Sequence, residues 1–502
     1  MLKFCSRRSI KQRHISIRTI HGWKSKYGMI PMISSNEEFI DSNNDSHYTV
    51  SSPDNTEILH RASALSDINR INSISDNAMS GFKEWNQLAI NEKCKIYDSI
   101  IKELHKNSKI LIEAHKEIGI ADWFAKFNVF GSIDNLTHYK SLLMTMNNGI
   151  IPVQHSSQHD LTMVLNQPIG PVLSISPWNA PGILTTRSIL APLTAGCSVI
   201  VKSSELSPLI SYYIVKSFIN GGLPKNVLHL IHSTKNDSEK IVSNLISNKN
   251  IRKINFTGST ETGSKISSIA GINLKPILLE LGGKNCIVIE NDYQDLEKAL
   301  RQSLWSSWCH KGQICMCTDI IYINDKIYDK SIEIIKNLGK EFIQKDKDLM
   351  IYQRTLEHHG KISELVKDAE LKGAKTIEFT DKTHKSFNPI VLENVTKDMD
   401  IYHTEIFGPV VSIIRYKDTD EIVGDINGLE YGLKCSIWTG NFAKGLQFAK
   451  DVESGSVHIN NQTIVDEPHL PHGGVKNSGS GRFNSVWGIE EFSYKKLITV
   501  NS

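Results

Sequence analysis

An α/β fold with parallel sheets is what this sequence predicts, and three observations predict it. From residue 163 onward, short apolar runs bounded by proline and glycine alternate with segments of helical periodicity, the texture of strand–helix–strand units. The chain is 502 residues long, more than one hydrophobic core usually organises, so two or more packed units are expected. Its composition, 40% hydrophobic and 22% charged, is that of an ordinary globular protein, and no apolar stretch is long enough to span a bilayer. No integral membrane segment is expected.

The first 36 residues contain no Asp or Glu, whereas Lys3, Arg7, Arg8, Lys11, Arg13, Arg18, Lys24 and Lys26 are all basic. This acid-free, Arg- and Ser-containing start reads as a mitochondrial transit peptide over residues 1–28, and the protein as one of the matrix. Arg7, Lys11, His14 and Arg18 fall on one helical face, but Arg8 and Arg13 fall off it and the apolar face is ragged. The alternative is a disordered basic tail on a cytoplasmic protein. Without those eight charges, 49 basic side chains stand against 54 acidic ones, so no nucleic-acid partner is expected.

Residues 29–33 form a short apolar run that can begin the folded domain, followed by a Ser/Asn/Asp-rich stretch to about residue 55. Residues 62–115 have helical periodicity. Strands are expected at 170–175, 198–202, 227–232, 252–256 and 287–290, with helices at 183–195 and 209–219 between them. Residues 410–415 and 436–439 continue the texture. Parallel sheets of this kind bind ligands at the carboxyl ends of their strands.

The eight cysteines lack the regular spacing of a disulfide framework. Cys309, Cys315 and Cys317 cluster, but no second ligand pair with zinc-type spacing follows, so no metal site is expected. A reducing compartment and one special thiol fit better.

Five segments carry candidate chemistry. In Pro177-Trp178-Asn179-Ala180-Pro181 the prolines hold Asn179 in a turn after a strand, where its amide can donate to a ligand oxygen or simply complete the turn. In Lys202-Ser203-Ser204-Glu205 a cation and a carboxylate three residues apart can bind adjacent hydroxyls, or form a solvated turn. Thr257-Gly258-Ser259-Thr260-Glu261-Thr262-Gly263 places small residues between strand and helix, where backbone N–H groups can approach a phosphate. Neither the G-x-G-x-x-G fingerprint nor a P-loop is present. Glu280, in Leu279-Glu280-Leu281-Gly282-Gly283-Lys284-Asn285, is a carboxylate in an apolar run, suited to a general base. Cys315, in Gly312-Gln313-Ile314-Cys315-Met316-Cys317, can combine a nucleophile with a free backbone N–H.

In order, spacing and flanking residues these segments resemble the aldehyde dehydrogenase superfamily, together with Glu405-Ile406-Phe407-Gly408-Pro409, Tyr431-Gly432-Leu433 and Gly473-Gly474-Val475-Lys476-Asn477-Ser478-Gly479. The resemblance runs from about residue 30 to residue 500. It implies an NAD(P)-dependent oxidation of an aldehyde to a carboxylic acid through a Cys315 thioester. Cys315 matches the nucleophile, Glu280 the base that activates the hydrolytic water, and Asn179 the side-chain donor to the oxyanion. The cofactor, NAD with NADP as the alternative, is expected against Ser176, Pro177, Trp178, Lys202, Glu205, Gly258, Ser259, Thr262, Leu281, Glu405 and Phe407. Glu205 favours NAD, since a carboxylate near the adenosine 2′ position repels a phosphate.

The expected organisation is an NAD-binding domain of residues 29–142 and 164–280, a catalytic domain of 281–486, and an oligomerisation element of 143–163 and 487–502. That element implies a homodimer or homotetramer, with a partner subunit covering the apolar tail strand.

Within the superfamily the sequence is similar to the benzaldehyde, salicylaldehyde and vanillin dehydrogenase branch, through the motifs around Asn179, Lys202 and Cys315, and through His458-Ile459-Asn460-Asn461-Gln462-Thr463 with Asp466-Glu467. Arg187 and Ser188 also follow that branch, and Ala180 leaves room for a ring where several aliphatic-aldehyde enzymes carry a bulky residue. His472 stands where the family usually has Phe, and Cys309-His310-Lys311 where many relatives have an apolar residue, Asn and Gln. A tunnel lined by Ala180, Arg187, Cys309 and His472 is expected, more polar than in relatives if His310 and Lys311 share it. His472 either contacts a substrate hydroxyl or carboxylate or is a packed, satisfied histidine. Cys317 is either a small buried neighbour or a redox partner of Cys315.

The rivals are an aliphatic aldehyde or semialdehyde dehydrogenase, a cofactor-independent thiol esterase, a silent relative and a CoA-acylating enzyme. Retention of Glu280 favours water over CoA as the acyl acceptor.

Overall fold

The computed structural model describes residues 28–41, 46–145, 149–152, 159–345, 353–379 and 388–501. All but the last residue of the expected transit peptide lies outside that set.

Two sheets organise the molecule. The first has eight strands in the order Glu37–Phe39, Met32–Ser34, Leu228–Ile231, Val199–Lys202, Val172–Ile175, Lys253–Thr257, Ile277–Glu280 and Gly479–Ser480. Its five central strands pair in parallel, and antiparallel strands close both edges. The second has seven, in the order Lys375–Glu378, Ile390–Glu393, Val410–Tyr416, Thr318–Asn324, Asn285–Ile289, Lys434–Trp438 and Ser456–Ile459. Helices cover both faces of the central strands, so Val199–Lys202 is buried at every residue and reads as a continuous apolar run rather than an alternating one.

The helix Pro181–Ala195 begins on a proline, whose missing N–H is no loss in the first turn, and ends on Gly196 in a left-handed conformation at φ 103°. All of its residues are buried. The helical pattern expected at 62–115 is two packed helices, Ile68–Gln87 and Ile90–Glu117, except that residues 62 and 63 end the strand Ile58–Ser63. Asp67 caps the first by accepting from the Asn69 N–H, and extended Leu88 and Ala89 separate the two.

A third helix, Asp122–Leu142, escaped the periodicity reading because its polar residues are not confined to one face. Asn128, Ser132 and Asn135 are buried, each donating to the backbone carbonyl one turn earlier.

The expected division at residue 280 falls between the last parallel strand of the first sheet and the first strand of the second that follows it in the chain, Asn285–Ile289. One strand crosses it, because Gly479–Ser480, placed by expectation in the catalytic segment, pairs with Leu279 and Glu280. The tail strand Ser493–Val500 pairs along its whole length with Leu161–Pro168, which extends beyond the expected limit of 163. Its own chain therefore covers one edge of the tail, Ile150 of the expected hairpin bridges Val164, and 146–148 and 153–158 lie outside the described residues.

Candidate active site

Three chain turns from the facing edges of the two sheets bring the predicted chemical groups together. Asn179 follows the strand Val172–Ile175, Glu280 ends the strand Ile277–Glu280, and Cys315 lies between a short 3-10 turn, Cys309–Gly312, and the strand Thr318–Asn324. One ligand atom each from Cys315, Glu280 and His472 lies within 4.8 Å of the other two, and His472 Nε2 is 3.6 Å from Glu280 Oε1. Asn179 Nδ2 donates to the Gln313 carbonyl at 3.1 Å, two residues from the cysteine.

The cysteine loop is pinned by its carbonyls. Asn285 Nδ2 donates to the carbonyls of both Cys315 and Cys317 at 2.8 Å, and Thr463 Oγ1 donates to that of Met316 at 2.7 Å. With three successive carbonyls held, the Cys315 N–H makes no hydrogen bond among the described residues and is available to an incoming oxygen. Gly312, at φ 72°, allows the loop to approach Gly408, whose carbonyl oxygen would lie 2.0 Å from an added Cβ.

Burial pushes the Cys315 thiol well above its ordinary pKa, and the Glu280 carboxylate acts in the same direction. For Glu280 burial works upward, but His472, Cys315 and Arg187 outweigh it and hold the carboxyl below its usual value. Burial lowers His472 from its ordinary value, while Asp466 and Glu280 act upward. Both Glu280 oxygens and both His472 nitrogens are buried without a formed hydrogen bond among the described residues. Arg187 instead pairs closely with Asp466, whose other oxygen accepts from Asn484 Nδ2 at 2.9 Å and lies 3.7 Å from His472 Nδ1.

Two cavities meet at Cys315. One, of about 250 Å³, is lined by Pro177, Trp178, Gly258, Ser259, Leu281, Glu405 and Phe407 together with Asn179, Glu280 and His358. Ser176, Lys202, Glu205 and Thr262 do not line it but flank the same carboxyl edge of the first sheet. Ser176 donates its N–H to the Lys202 carbonyl, Glu205 follows Lys202 by three residues, and the Thr262 N–H is capped by Ser259 Oγ.

The donor set fits a dinucleotide. The N-terminus of the helix Thr260–Ile272 opens beside Gly258 and Ser259, where backbone N–H groups suit a phosphate. Gly282 leaves room for Glu405, whose Oε2 would lie 2.4 Å from an added Cβ, and Glu405 Oε1 accepts the Gly283 N–H at 3.0 Å. Burial raises Glu405 to about 8. Phe407 is held in a left-handed conformation, φ 51°, by His358 Nε2 at 2.9 Å from its carbonyl and by an edge contact with Trp178. A carboxyl and an aromatic wall beside the cysteine suit a ribose and a flat ring.

The other cavity, of about 400 Å³, is lined by Ala180, Arg187, Cys309 and His472, as expected, and by Trp123, Phe124, Phe127 and Trp305. His310 and Lys311, expected to share the tunnel, turn away from it. Both have left-handed backbones, φ 50° and 60°; the His310 ring packs 4.5 Å from that of Phe124, and Lys311 Nζ donates to the Gly119 carbonyl. The wall beside Cys309 is accordingly aromatic rather than polar. The residues that sequence reasoning missed are those acting through others: Asn285, Thr463 and His358, and the aromatic side chains of the unpredicted helix.

Residues 39–498 match the aldehyde dehydrogenase family. This chain belongs to it. The aldehyde dehydrogenase is 35% identical over 429 residues to a salicylaldehyde dehydrogenase of Pseudomonas putida, covering 84% of this chain and 88% of that protein. A vanillin dehydrogenase of Pseudomonas fluorescens is 34% identical over 430 residues, covering 85% and 88%. Among solved structures, a salicylaldehyde dehydrogenase from Pseudomonas putida complexed with salicylaldehyde superposes with a TM-score of 0.89 at 30% identity, covering 94% of this chain and 98% of that one. An NADP-dependent glyceraldehyde-3-phosphate dehydrogenase of Bacillus halodurans, complexed with NADP, gives 0.87 at 26% identity, covering 94% and 99%. The protein is thus an NAD(P)-dependent oxidoreductase that oxidises an aldehyde to a carboxylic acid, and no described helix is long and apolar enough to cross a membrane.

Proposed function

We propose that this aldehyde dehydrogenase acts on aromatic aldehydes, with Cys315 as nucleophile, Glu280 as base and Asn179 as oxyanion donor. The observation that carries the substrate reading is the aromatic-walled cavity of Trp123, Phe124, Phe127 and Trp305 that ends at Cys315. A flat ring fits such walls by offset or edge contacts. The two Pseudomonas relatives, named for salicylaldehyde and vanillin, agree with it.

With an aldehyde in the cavity, the Cys315 thiol gives its proton to solvent as Sγ adds to the carbonyl carbon. Negative charge then grows on the former carbonyl oxygen, between the Asn179 amide and the Cys315 N–H. Asn179 gives up its contact with Gln313 to donate there. NAD(P)+, when bound against Glu405 and Phe407, supplies the hydride acceptor that leaves Cys315 as a thioester. Glu280 next takes a proton from water, the oxygen adds to the acyl carbon, and the Cys315 thiolate leaves as the carboxylic acid forms.

The geometry disfavours a semialdehyde with a distant carboxylate, because the cation facing the cavity, Arg187, is already paired with Asp466. A cofactor-independent esterase leaves Glu405 and Phe407 unexplained. NAD is the favoured cofactor through Glu205, although Arg354 lies within electrostatic reach of that carboxylate and softens the preference. Tyr494, Leu497 and Val500 remain exposed on the tail strand and support a homodimer or homotetramer with its contact there. Import into the mitochondrial matrix rests on residues 1–28 alone.

The test is NADH appearance with benzaldehyde, salicylaldehyde and acetaldehyde. Higher kcat/KM on the two aromatic substrates is expected; activity on acetaldehyde alone would overturn the substrate reading.

A further inference from the structure

The groups around the cysteine make a second kind of site. Cys315 offers a thiol, Glu280 a carboxylate and His472 an imidazole, with one ligand atom from each lying within 4.8 Å of the others. They are three of the ligand types that zinc-class ions use. Zinc bonds to nitrogen and oxygen of about 2.0–2.2 Å, meeting at tetrahedral angles, place the two ligand atoms roughly 3.3–3.5 Å apart. His472 Nε2 and Glu280 Oε1 are already 3.6 Å apart, so an ion between them needs little rearrangement.

The remaining features agree. His472 and Glu280 are 2% and 1% exposed, and neither Nε2 of the first nor either carboxylate oxygen of the second has a hydrogen-bond partner among the described residues. Two such buried polar groups, facing each other at 3.6 Å without a hydrogen bond formed between them, are costly unless something lies between them. On the far side of the imidazole, Nδ1 faces Asp466 at 3.7 Å, and Asp466 is itself fixed by Arg187 and Asn484. A metal-bound imidazole commonly has such a carboxylate behind it. Cys315 opens onto both cavities, leaving a fourth position for water.

We propose that Cys315, Glu280 and His472 form an inhibitory site for a divalent transition-metal ion of the zinc class. Binding replaces the thiol proton by the ion: the S–H bond breaks, a sulfur–metal bond forms, and the proton leaves to solvent. Sulfur held in that bond cannot add to an aldehyde, so occupancy switches the enzyme off and a chelator restores it. The sequence reading found no such site because it looked for closely spaced ligand pairs, whereas these three ligands come from segments 35 to 192 residues apart. The binding claim stands on the ligand geometry; its inhibitory consequence rests on Cys315 being the nucleophile.

The test uses cobalt(II) as a coloured stand-in for zinc, titrated anaerobically into the full-length enzyme without cofactor or aldehyde. One ion per subunit is expected, with a near-ultraviolet sulfur-to-cobalt charge-transfer band and visible bands as intense as those of tetrahedral cobalt, both removed by zinc. Cys315→Ser should lose the charge-transfer band, and His472→Phe should bind at least tenfold more weakly. Should His472→Phe fail to fold, His472→Gln, of similar polarity but a poor ligand, serves in its place. In parallel, zinc should slow NADH formation by the wild type, with recovery on chelation. No charge-transfer band in the wild type, or equal affinity in the His472 variant, would overturn the site. A cobalt site in an enzyme whose Cys315→Ala variant still forms NADH would leave the ligand set standing and remove the catalytic reading instead.

Discussion

Asn285 Nδ2 reaches the carbonyl oxygen of Cys315 at 2.8 Å, while its Oδ1 accepts the Lys434 N–H at 3.0 Å. The amide thus ties the cysteine loop to the strand Lys434–Trp438, and with the second bond to Cys317 it sets where the thiol and its N–H point. Asn285→Ala removes these bonds without touching substrate. Misplacing a reacting group by about 1 Å can cost about 100-fold, so kcat should fall on the order of 10- to 100-fold. The KM for cofactor should change little, which steady-state kinetics on the folded variant checks.

Asn179 tests the oxyanion assignment. Asn179→Ala removes a donor required only as charge develops, so kcat should drop about 100- to 1,000-fold. Aldehyde binding, measured by equilibrium titration with Cys315→Ala as background, should be nearly unchanged.

Glu405 gives a pH prediction. Its folded value is raised to about 8 by burial, while the unfolded chain titrates in the ordinary carboxyl range. Between the two the folded state holds a proton that the unfolded state has released, so its contribution is full below the unfolded value and is lost as pH rises through about 8. The melting temperature should therefore fall more steeply between about pH 5 and about 8 in the wild type than in Glu405→Gln, by this linkage. Parallel curves would contradict the assignment.

The Arg187–Asp466 pair is a stability test. Arg187 is 4% exposed at its side chain, and Asp466→Ala leaves that guanidinium buried and unpaired. A loss of about 3–5 kcal/mol is expected, the usual consequence of removing one partner of a buried pair. Urea unfolding of the variant and of the Arg187→Met, Asp466→Leu double variant checks it, since removing both charges should recover much of the loss.

Val172–Ile175 and Val199–Lys202 were legible because burial on both faces makes them short, mostly apolar runs, whereas Lys253–Thr257 alternates polar and apolar residues; each lies within two residues of its expected bounds. Asn179, Glu280 and Cys315 stood out as residues at strand or turn ends, but each motif alone left a bland alternative open, and their roles came only from the resemblance carried by the ordered set of motifs. The helix Asp122–Leu142 was not, since its polar residues bond to their own backbone and spoil the periodicity. The direction of His310 and Lys311 was hidden too, because it depends on two left-handed residues that nothing local in Cys309-His310-Lys311-Gly312 demands. The Glu280–His472 approach joins residues 192 positions apart and is a product of tertiary folding alone.

The most direct test of the account is intact-protein and peptide mass spectrometry of Glu280→Gln quenched soon after mixing with benzaldehyde and NAD. With hydrolysis disabled, one NADH per active site should form in a burst, and an aroyl group should be found on the Cys315 peptide. An aroyl group on another residue, or sustained turnover by this variant with no adduct, would contradict it.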